Sequence, residues 1–356
     1  MQDRAKRLMD ILNAQGVGAA LITKPDNMRY FTGYTGEGCL LIMPGRLVVL
    51  TDFRYVEQVS IQAPGCECVQ TRNGVRPEEA VRGILEAEGV AKIAFEPYKM
   101  TVQEFEAWKA EMPTVEFVSL ENIPEKQLRV VKDESELDSI CKAAEIACAA
   151  FDDLLGWVKP GMTEMQVKAE LEYCMLRRGS QGLGFGTIAA SGPNGSLPHA
   201  VAGMRAIEEG DLLTLDFGAR INGYCCDMTR TIGFGKVSDE LKAIYNAVLE
   251  AQLIALDMIK PGVVCKTVDA AAREYLDARY PGAFGHSLGH GVGLVVHEDP
   301  GLNMRDERKL VPGHVVTIEP GVYIPGLGGV RIEDMALLTQ DGFINPITAP
   351  KELILI

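Results

Sequence analysis

The chain has five histidines, and three of them fall within twelve positions. They lie in the run His286-Ser287-Leu288-Gly289-His290-Gly291-Val292-Gly293, which continues to His297-Glu298-Asp299-Pro300. A fourth, His199, follows Leu197-Pro198. Imidazoles gathered this way can ligate a metal, donate hydrogen bonds or carry protons near neutral pH. A lone buried histidine is ordinarily a satisfied core residue, but four of five in one constellation reverse that reading. Gly285, Gly289, Gly291 and Gly293 accompany the run, and residues without a Cβ let backbone approach closely. His314 stands outside the pattern and reads as structural.

Two pairs of acids accompany the histidines. Leu213, Leu215 and Phe217 alternate with Thr214 and Asp216, the period of a strand. Asn222-Gly223 marks a turn, and the return strand carries Asp227, Thr229 and Thr231. Asp216 and Asp227 then share one face, opposite or diagonal to each other. The stretch Val315–Glu319, the turn-rich Pro325–Gly329 and the return through Val330–Glu333 repeat the plan, with Glu319 facing Glu333 about Gly326. A single strand acid reads as a solvated face. Two acid pairs set among apolar residues do not, because unpaired buried charge is so costly. A cation removes the cost. Four carboxylates and one imidazole balance two divalent ions, and hard oxygen donors favour Mn²⁺, Co²⁺ or Fe²⁺ and admit Zn²⁺. Such ions lower the pKa of water and polarise a carbonyl, which is the chemistry of hydrolysis.

The elements that must position these groups form a repeated plan. From Ser135 an apolar stripe at helical spacing runs to Val158-Lys159-Pro160-Gly161, and Thr163-Glu164-Met165-Gln166 is a capping box opening a second helix to Arg178-Gly179. Gly184–Ser191 is strand-like. Ser238 caps another helix, which stops at Ile259-Lys260-Pro261-Gly262, and Thr267 is expected to cap a fourth. On nearly one offset His199 aligns with His297, Asp216 with Glu319 and Asp227 with Glu333, which points to an internal duplication with a shared site. Before this region, residues 1–124 alternate helix and strand patterns and form an α/β unit without a catalytic cluster. Cys39–Ile42 and Leu47–Thr51 bracket a Pro44-Gly45 turn as a hairpin. The boundary falls near Ile123-Pro124, so the domains are 1–124 and 130–356.

Composition narrows the classes. The chain has 356 residues, 47% hydrophobic and 24% charged, as in a globular protein. A net charge of −14 without a basic patch argues against nucleic acid as a partner. No apolar run approaches the ~20 residues of a membrane span, and the first residues read as an amphipathic helix rather than a secretion signal. Nine cysteines without zinc-site spacing read as reduced thiols, and the expected location is cytoplasmic.

Several motifs together resemble one family. They are Ser191-Gly192-Pro193-Asn194 with Pro198-His199, Leu215-Asp216-Phe217-Gly218, Cys226-Asp227-Met228-Thr229-Arg230-Thr231, Gly289-His290-Gly291-Val292-Gly293-Leu294 with His297-Glu298, Thr317-Ile318-Glu319-Pro320-Gly321, and Arg331-Ile332-Glu333-Asp334. Their order and spacing are similar to those of the pita-bread metallopeptidases, in the branch of Xaa-Pro aminopeptidases and Xaa-Pro dipeptidases (prolidases). Tyr30-Phe31-Thr32-Gly33 and Thr51-Asp52-Phe53-Arg54-Tyr55 resemble the N-terminal domain of that branch.

The resemblance implies a creatinase-like α/β N-terminal domain and an α+β pita-bread catalytic domain with a pseudo-two-fold duplication. It implies two metals, Mn²⁺ first, on Asp216, Asp227, His290, Glu319 and Glu333, with Asp227 and Glu333 bridging. Glu319 would also be general base. His297 would assist proton transfer or hold the substrate carbonyl, His199 would stabilise the tetrahedral intermediate, and His286 would line the proline pocket. Arg331 and Tyr323 would hold the carboxylates in place, and a homodimer is implied. Proline dipeptidases often carry arginine directly after His-Glu-Xaa-Pro, where this chain has Gly301. The expected activity is therefore Xaa-Pro aminopeptidase, with Xaa-Pro dipeptidase as the alternative. A non-catalytic binding module and a metal-free creatinase-like hydrolase are rivals that the intact ligand set opposes.

Overall fold

The computed structural model describes residues 2–71 and 75–356, in two compact units that meet in sequence between Arg129 and Val130. The first unit therefore continues past Pro124, through a short turn of helix at Pro124–Leu128. Its helices are α1 (Gln2–Asn13), α2 (Pro25–Thr32), α3 (Val56–Gln62), α4 (Pro77–Ala87) and α5 (Val102–Glu111). Its strands are β1 (Ala19–Ile22), β2 (Cys39–Met43), β3 (Arg46–Thr51), β4 (Glu67–Gln70), β5 (Lys92–Phe95) and β6 (Glu116–Ser119), in the order β4-β3-β2-β1-β5-β6. The β2–β3 hairpin turns at Pro44-Gly45 as expected. Alternate residues Ala19, Leu21, Leu41, Val48 and Leu50 form one core with Val81 and Leu85 of α4 and Trp108 of α5. The intervening Ala20, Ile22, Leu40 and Val49 are buried as well. Both faces are thus covered, and the strands read as continuous apolar runs.

The second unit begins with α6 (Glu134–Leu155) and α7 (Glu164–Arg177), followed by β7 (Ile188–Ser191), β8 (Leu212–Phe217), β9 (Arg220–Ile221), β10 (Tyr224–Cys225) and β11 (Met228–Gly233). It continues with α8 (Asp239–Met258), α9 (Cys265–Asp277), β12 (Gly289–Gly291), β13 (Glu298–Leu302), β14 (Val315–Ile318), β15 (Gly321–Ile324), β16 (Gly328–Arg331), β17 (Asp334–Leu338) and β18 (Phe343–Ile344). Each half is a helix pair followed by antiparallel strands, ordered β11-β8-β7 in one sheet and β12-β14-β17 within the other. This is the internal duplication.

Capping fixes three of the four long helices. Asp133 and Glu136 form a reciprocal box on α6, Thr163 and Gln166 do so on α7, and the Ser238 side chain accepts from Leu241 N–H on α8. The cap expected for the fourth helix is absent. α9 starts at Cys265, and Thr267 lies inside it, donating to the Val264 carbonyl at 2.6 Å. Backbone pairing of Val264 with Lys309 sets the chain direction there, so no side-chain cap is required.

The core of this unit packs α8 and α9 (Ile244, Val248, Val268, Leu276) against strand residues Val316, Ile318, Val330 and Ile332. Each such fully buried side chain contributes roughly 1.5–3 kcal/mol by leaving water. Arg230 on β11 closes the duplication. Its guanidinium donates to the Glu333 and Ala349 carbonyls and to Asp334 Oδ1, at 2.6–2.8 Å, and to Pro350 O. The C-terminal residues then pair with Gly233 on the same strand. Among the described residues no helix is long and apolar enough to cross a membrane.

His314, in the turn before β14, is buried, and burial beside Lys132 and Arg308 pushes its pKa down to about 4. The unfolded chain then binds a proton more readily than the fold does, so stability from this site is complete above about 6.5 and is lost as pH falls toward 4. Urea unfolding with chelator present, at pH 7.5 and pH 5, should show the wild type losing ~2 kcal/mol more than His314→Gln. Equal losses would place the sensitivity elsewhere.

Candidate active site

The two hairpins carry the acids to one place. β8 pairs with β11 so that Asp216 lies opposite Thr229, and Asp227, two residues back, is diagonal to it on the same face. The turn residues Asn222 and Gly223 both have positive φ, as a tight hairpin turn requires. In the second half there are two ladders rather than one. β14 pairs with β17 up to Ile318–Asp334, and β15 pairs with β16 from Gly321–Arg331. The ladders share a register, so Glu319 and Glu333 oppose each other in the gap between them. The break leaves both carboxylates outside the regular sheet.

The histidine run is threaded past these acids by close backbone approach. A Cβ on Gly289 would lie 1.9 Å from the Thr317 carbonyl oxygen, and one on Gly291 would lie 2.3 Å from that of Asp299. Gly293 is closed by the Glu298 carboxylate, but Gly285 faces open space, and no contact there requires glycine.

His290 Nε2 lies 3.1 Å from Glu319 Oε1 and 3.6 Å from Asp227 Oδ2. Asp227, His290 and Glu333 each bring one ligating atom within 4.8 Å of the others. Asp216 and Glu319 border this trio and are held by other groups. Asp216 Oδ2 accepts from Arg331 Nη2 at 2.6 Å, and Glu319 Oε1 accepts from the Thr317 hydroxyl at 3.0 Å. That same hydroxyl accepts the His290 backbone N–H. Thr229 Oγ1 donates to Glu333 Oε2 at 2.7 Å and accepts from Arg331 Nε at 3.1 Å.

One hydrogen-bonded line crosses the site. Arg331 Nη1 donates to Tyr323 Oη, and Tyr323 Oη meets His286 Nε2, each at 2.8 Å. His286 Nδ1 contacts the Ser287 carbonyl, which only accepts, so a neutral ring carries its proton on Nδ1 and receives the tyrosine hydroxyl at Nε2. Burial favours that neutral form by lowering the His286 pKa, and burial raises Tyr323 to about 12.

The acids do not tolerate one another unaided. Burial, then the repulsion of Glu333 and Asp216, pushes Asp227 well above the carboxylate range. Burial, then Glu319 and Asp216, does the same to Glu333. Burial also raises Asp216, against the pull of Arg331. Glu319 goes the other way: burial would raise it, but His290 overrides this and holds it at about 2. For His290, burial lowers the pKa and the Glu319 carboxylate more than reverses it.

These residues fit divalent cations. Asp216 Oδ1, Asp227 Oδ1 and Glu333 Oε1 are buried without a hydrogen-bond partner, a costly state for a carboxylate oxygen. His290 Nδ1 faces the Gly291 carbonyl, so a neutral ring turns the Nε2 lone pair toward Asp227 and Glu319. Lone pairs aimed together in this way are complementary to a positive charge.

A cavity of about 690 Å³ opens on the cluster, lined by Asp216, Asp227, His290, Glu319, Glu333 and Arg331 together with His199, His286 and His297. Tyr323 stands behind His286. The His290 and His297 rings lie edge to face, centroids 4.2 Å apart. His199 and His297 are exposed, and His286 and His290 are half-buried. Sequence reasoning missed Thr229 and Thr317. Both lie two residues from an acid, on the same strand face or its extension, and that spacing was the available signal.

A family model described as metallopeptidase family M24 matches residues 138–340, and one described as the creatinase/prolidase N-terminal domain matches residues 4–131. The chain is 36% identical to the Xaa-Pro dipeptidase of Pyrococcus furiosus, over 99% of this chain and all of that one. Among solved structures, an Xaa-Pro dipeptidase from Bacillus anthracis superposes with a TM-score of 0.95 at 43% identity, over 100% of this chain and 99% of the other. An X-Pro aminopeptidase from Thermotoga maritima superposes with a TM-score of 0.92 at 35% identity, over 99% and 100%. With the duplicated fold, the opposed acid pairs and these matches in hand, the chain belongs to metallopeptidase family M24, carrying a creatinase/prolidase N-terminal domain ahead of a pita-bread catalytic domain.

Proposed function

We propose that this enzyme hydrolyses the Xaa-Pro bond of dipeptides, as a prolidase. The carrying observation is the cluster of buried, unpartnered carboxylate oxygens around His290 at a substrate-sized cavity, in a chain whose full-length relatives include Xaa-Pro dipeptidases. The sequence taken alone put the aminopeptidase first, on the strength of Gly301. The relatives weigh toward the dipeptidase. Removal of an N-terminal residue from longer Xaa-Pro peptides stays as the second reading, favoured by Gly301 and by the likeness to the Thermotoga maritima enzyme.

In this reading Asp216, Asp227, His290, Glu319 and Glu333 hold two divalent cations, with Mn²⁺ the first candidate. Bound there, the ions would supply Lewis acidity toward the scissile carbonyl and acidify the attacking water. Glu319, fixed by Thr317 and His290, takes the proton of that water. His297 then delivers a proton toward the leaving prolyl nitrogen or holds the carbonyl. His199 donates to the oxyanion, as preorganised donors do. His286, locked by Tyr323 and Ser287, presents its ring edge to the prolyl side. Arg331 keeps Asp216 and Tyr323 aligned, and Thr229 keeps Glu333 aligned. The reading also includes a cytoplasmic homodimer.

A paired assay on Mn²⁺-loaded protein decides between the two readings. An Xaa-Pro dipeptide and an Xaa-Pro-Yaa tripeptide are incubated separately beside chelated controls, and free amino acids are read by mass spectrometry. Turnover of the dipeptide with the tripeptide spared supports the prolidase, and the reverse pattern supports the aminopeptidase. Asp227→Asn should retain its circular dichroism spectrum while losing bound metal by plasma mass spectrometry and at least about 100-fold in turnover; full activity would sink the ligand assignment. Thr229→Val should weaken metal binding by about 10- to 100-fold in calorimetry, as loss of an outer partner of a ligand does. Unchanged affinity would mean that Glu333 needs no such support.

A further inference from the structure

We propose that Lys168 reads the C-terminal carboxylate of a dipeptide substrate and so sets the length preference of the cavity. This rests on the Xaa-Pro dipeptidase reading. A dipeptide carries its free carboxylate one residue beyond the scissile bond, and the titratable groups lining the cavity that must receive it are mostly acids and histidines. Two basic side chains line that cavity, Lys168 and Arg331. Arg331 is buried and fully engaged, donating to Asp216, Tyr323, Thr229 and the Pro198 carbonyl. Lys168 has no hydrogen bond among the described residues. Its ion-pair neighbour Glu172 lies 3.8 Å away, beyond hydrogen-bond reach.

The placement of Lys168 follows from the anchoring of α7. Glu164, in the first turn, is fully buried. Its carboxylate accepts from Ser191 N–H at 2.7 Å, Ser191 Oγ at 2.8 Å, Asn194 Nδ2 and Gly203 N–H. These bonds clamp one face of the helix onto the segment that carries His199. Lys168 is four residues on, so it shares that face. It lines the cavity together with Phe185, Ile188, Ala200 and Val201. The wall at Gly301 supplies no charge, and a Cβ there would meet Asn303 Nδ2 at 2.3 Å, so a larger side chain would have to displace that amide. An ammonium on a flexible stem, half-buried and weakly paired, is suited to meet a carboxylate as a point charge.

The test compares Leu-Pro with its C-terminal amide on Mn²⁺-loaded wild type, K168M and K168R. One charge-assisted hydrogen bond should appear as a rise of about tenfold in KM for Leu-Pro in K168M, with kcat within about twofold. The amide should show no such rise, and K168R should recover most of the loss. If wild type turns over Leu-Pro and K168M does so with the same KM, the assignment to Lys168 is overturned while the dipeptidase reading stands. An equal rise for Leu-Pro and the amide also overturns it, because the effect is then not on the carboxylate. Failure of the wild type to cleave Leu-Pro overturns the dipeptidase reading and this assignment with it.

Discussion

Four carboxylates share one buried site, and their mutual repulsion is the constraint that organises the catalytic unit. Burial, and then the neighbouring carboxylates, drive Asp227 and Glu333 toward their neutral forms. The protein answers from several sides. Arg331 meets Asp216, Thr229 meets Glu333, Thr317 meets Glu319, and His290 lies between Glu319 and Asp227. These contacts engage one oxygen of each acid and leave Asp216 Oδ1, Asp227 Oδ1 and Glu333 Oε1 without partners. A half-satisfied set of this kind would be expensive if it served the fold alone. It becomes intelligible when divalent cations complete it.

The duplicated architecture is what makes such a cluster buildable. A single hairpin can bring two acids onto one face, as β8 and β11 do for Asp216 and Asp227. A second hairpin brings two more, but there the sheet is interrupted, so that Glu319 and Glu333 fall between two ladders of common register. The interruption frees the carboxylates from the strand pleat while their backbones remain pinned on either side. The glycines of the histidine run serve the same end. Gly289 lets β12 press against Thr317, and this brings the backbone of His290 onto the hydroxyl that also holds Glu319.

Much of this was legible in the residues. Strand period and a tight turn were enough to pair Asp216 with Asp227, and the midpoint at Gly326 was enough to oppose Glu319 and Glu333. Both inferences rest on local geometry with little freedom. Thr163 and Ser238 were legible as caps for the same reason. Thr267 was misread because the start of α9 is decided by pairing of Val264 with Lys309, a partner distant in the chain. Gly285 was grouped with its neighbours by proximity, although nothing packs against it. Lys168 carried no signal at all. Its relevance depends on which face of α7 is clamped, and that is set by Glu164 bonding to residues 27 to 39 positions away.

The staple formed by Arg230 bears on how the protein is made. Its guanidinium joins β11 to the Glu333 backbone, to Asp334 and to the Ala349 and Pro350 carbonyls, while residues 354 and 356 pair with Gly233. During synthesis the first unit can fold as its own residues emerge, since domains fold in that order. The acid site cannot. Asp216 and Asp227 leave the ribosome more than a hundred residues before Asp334 and the Ala349 and Pro350 carbonyls that secure β11. The nascent chain therefore carries an unfinished carboxylate cluster until that later segment has emerged.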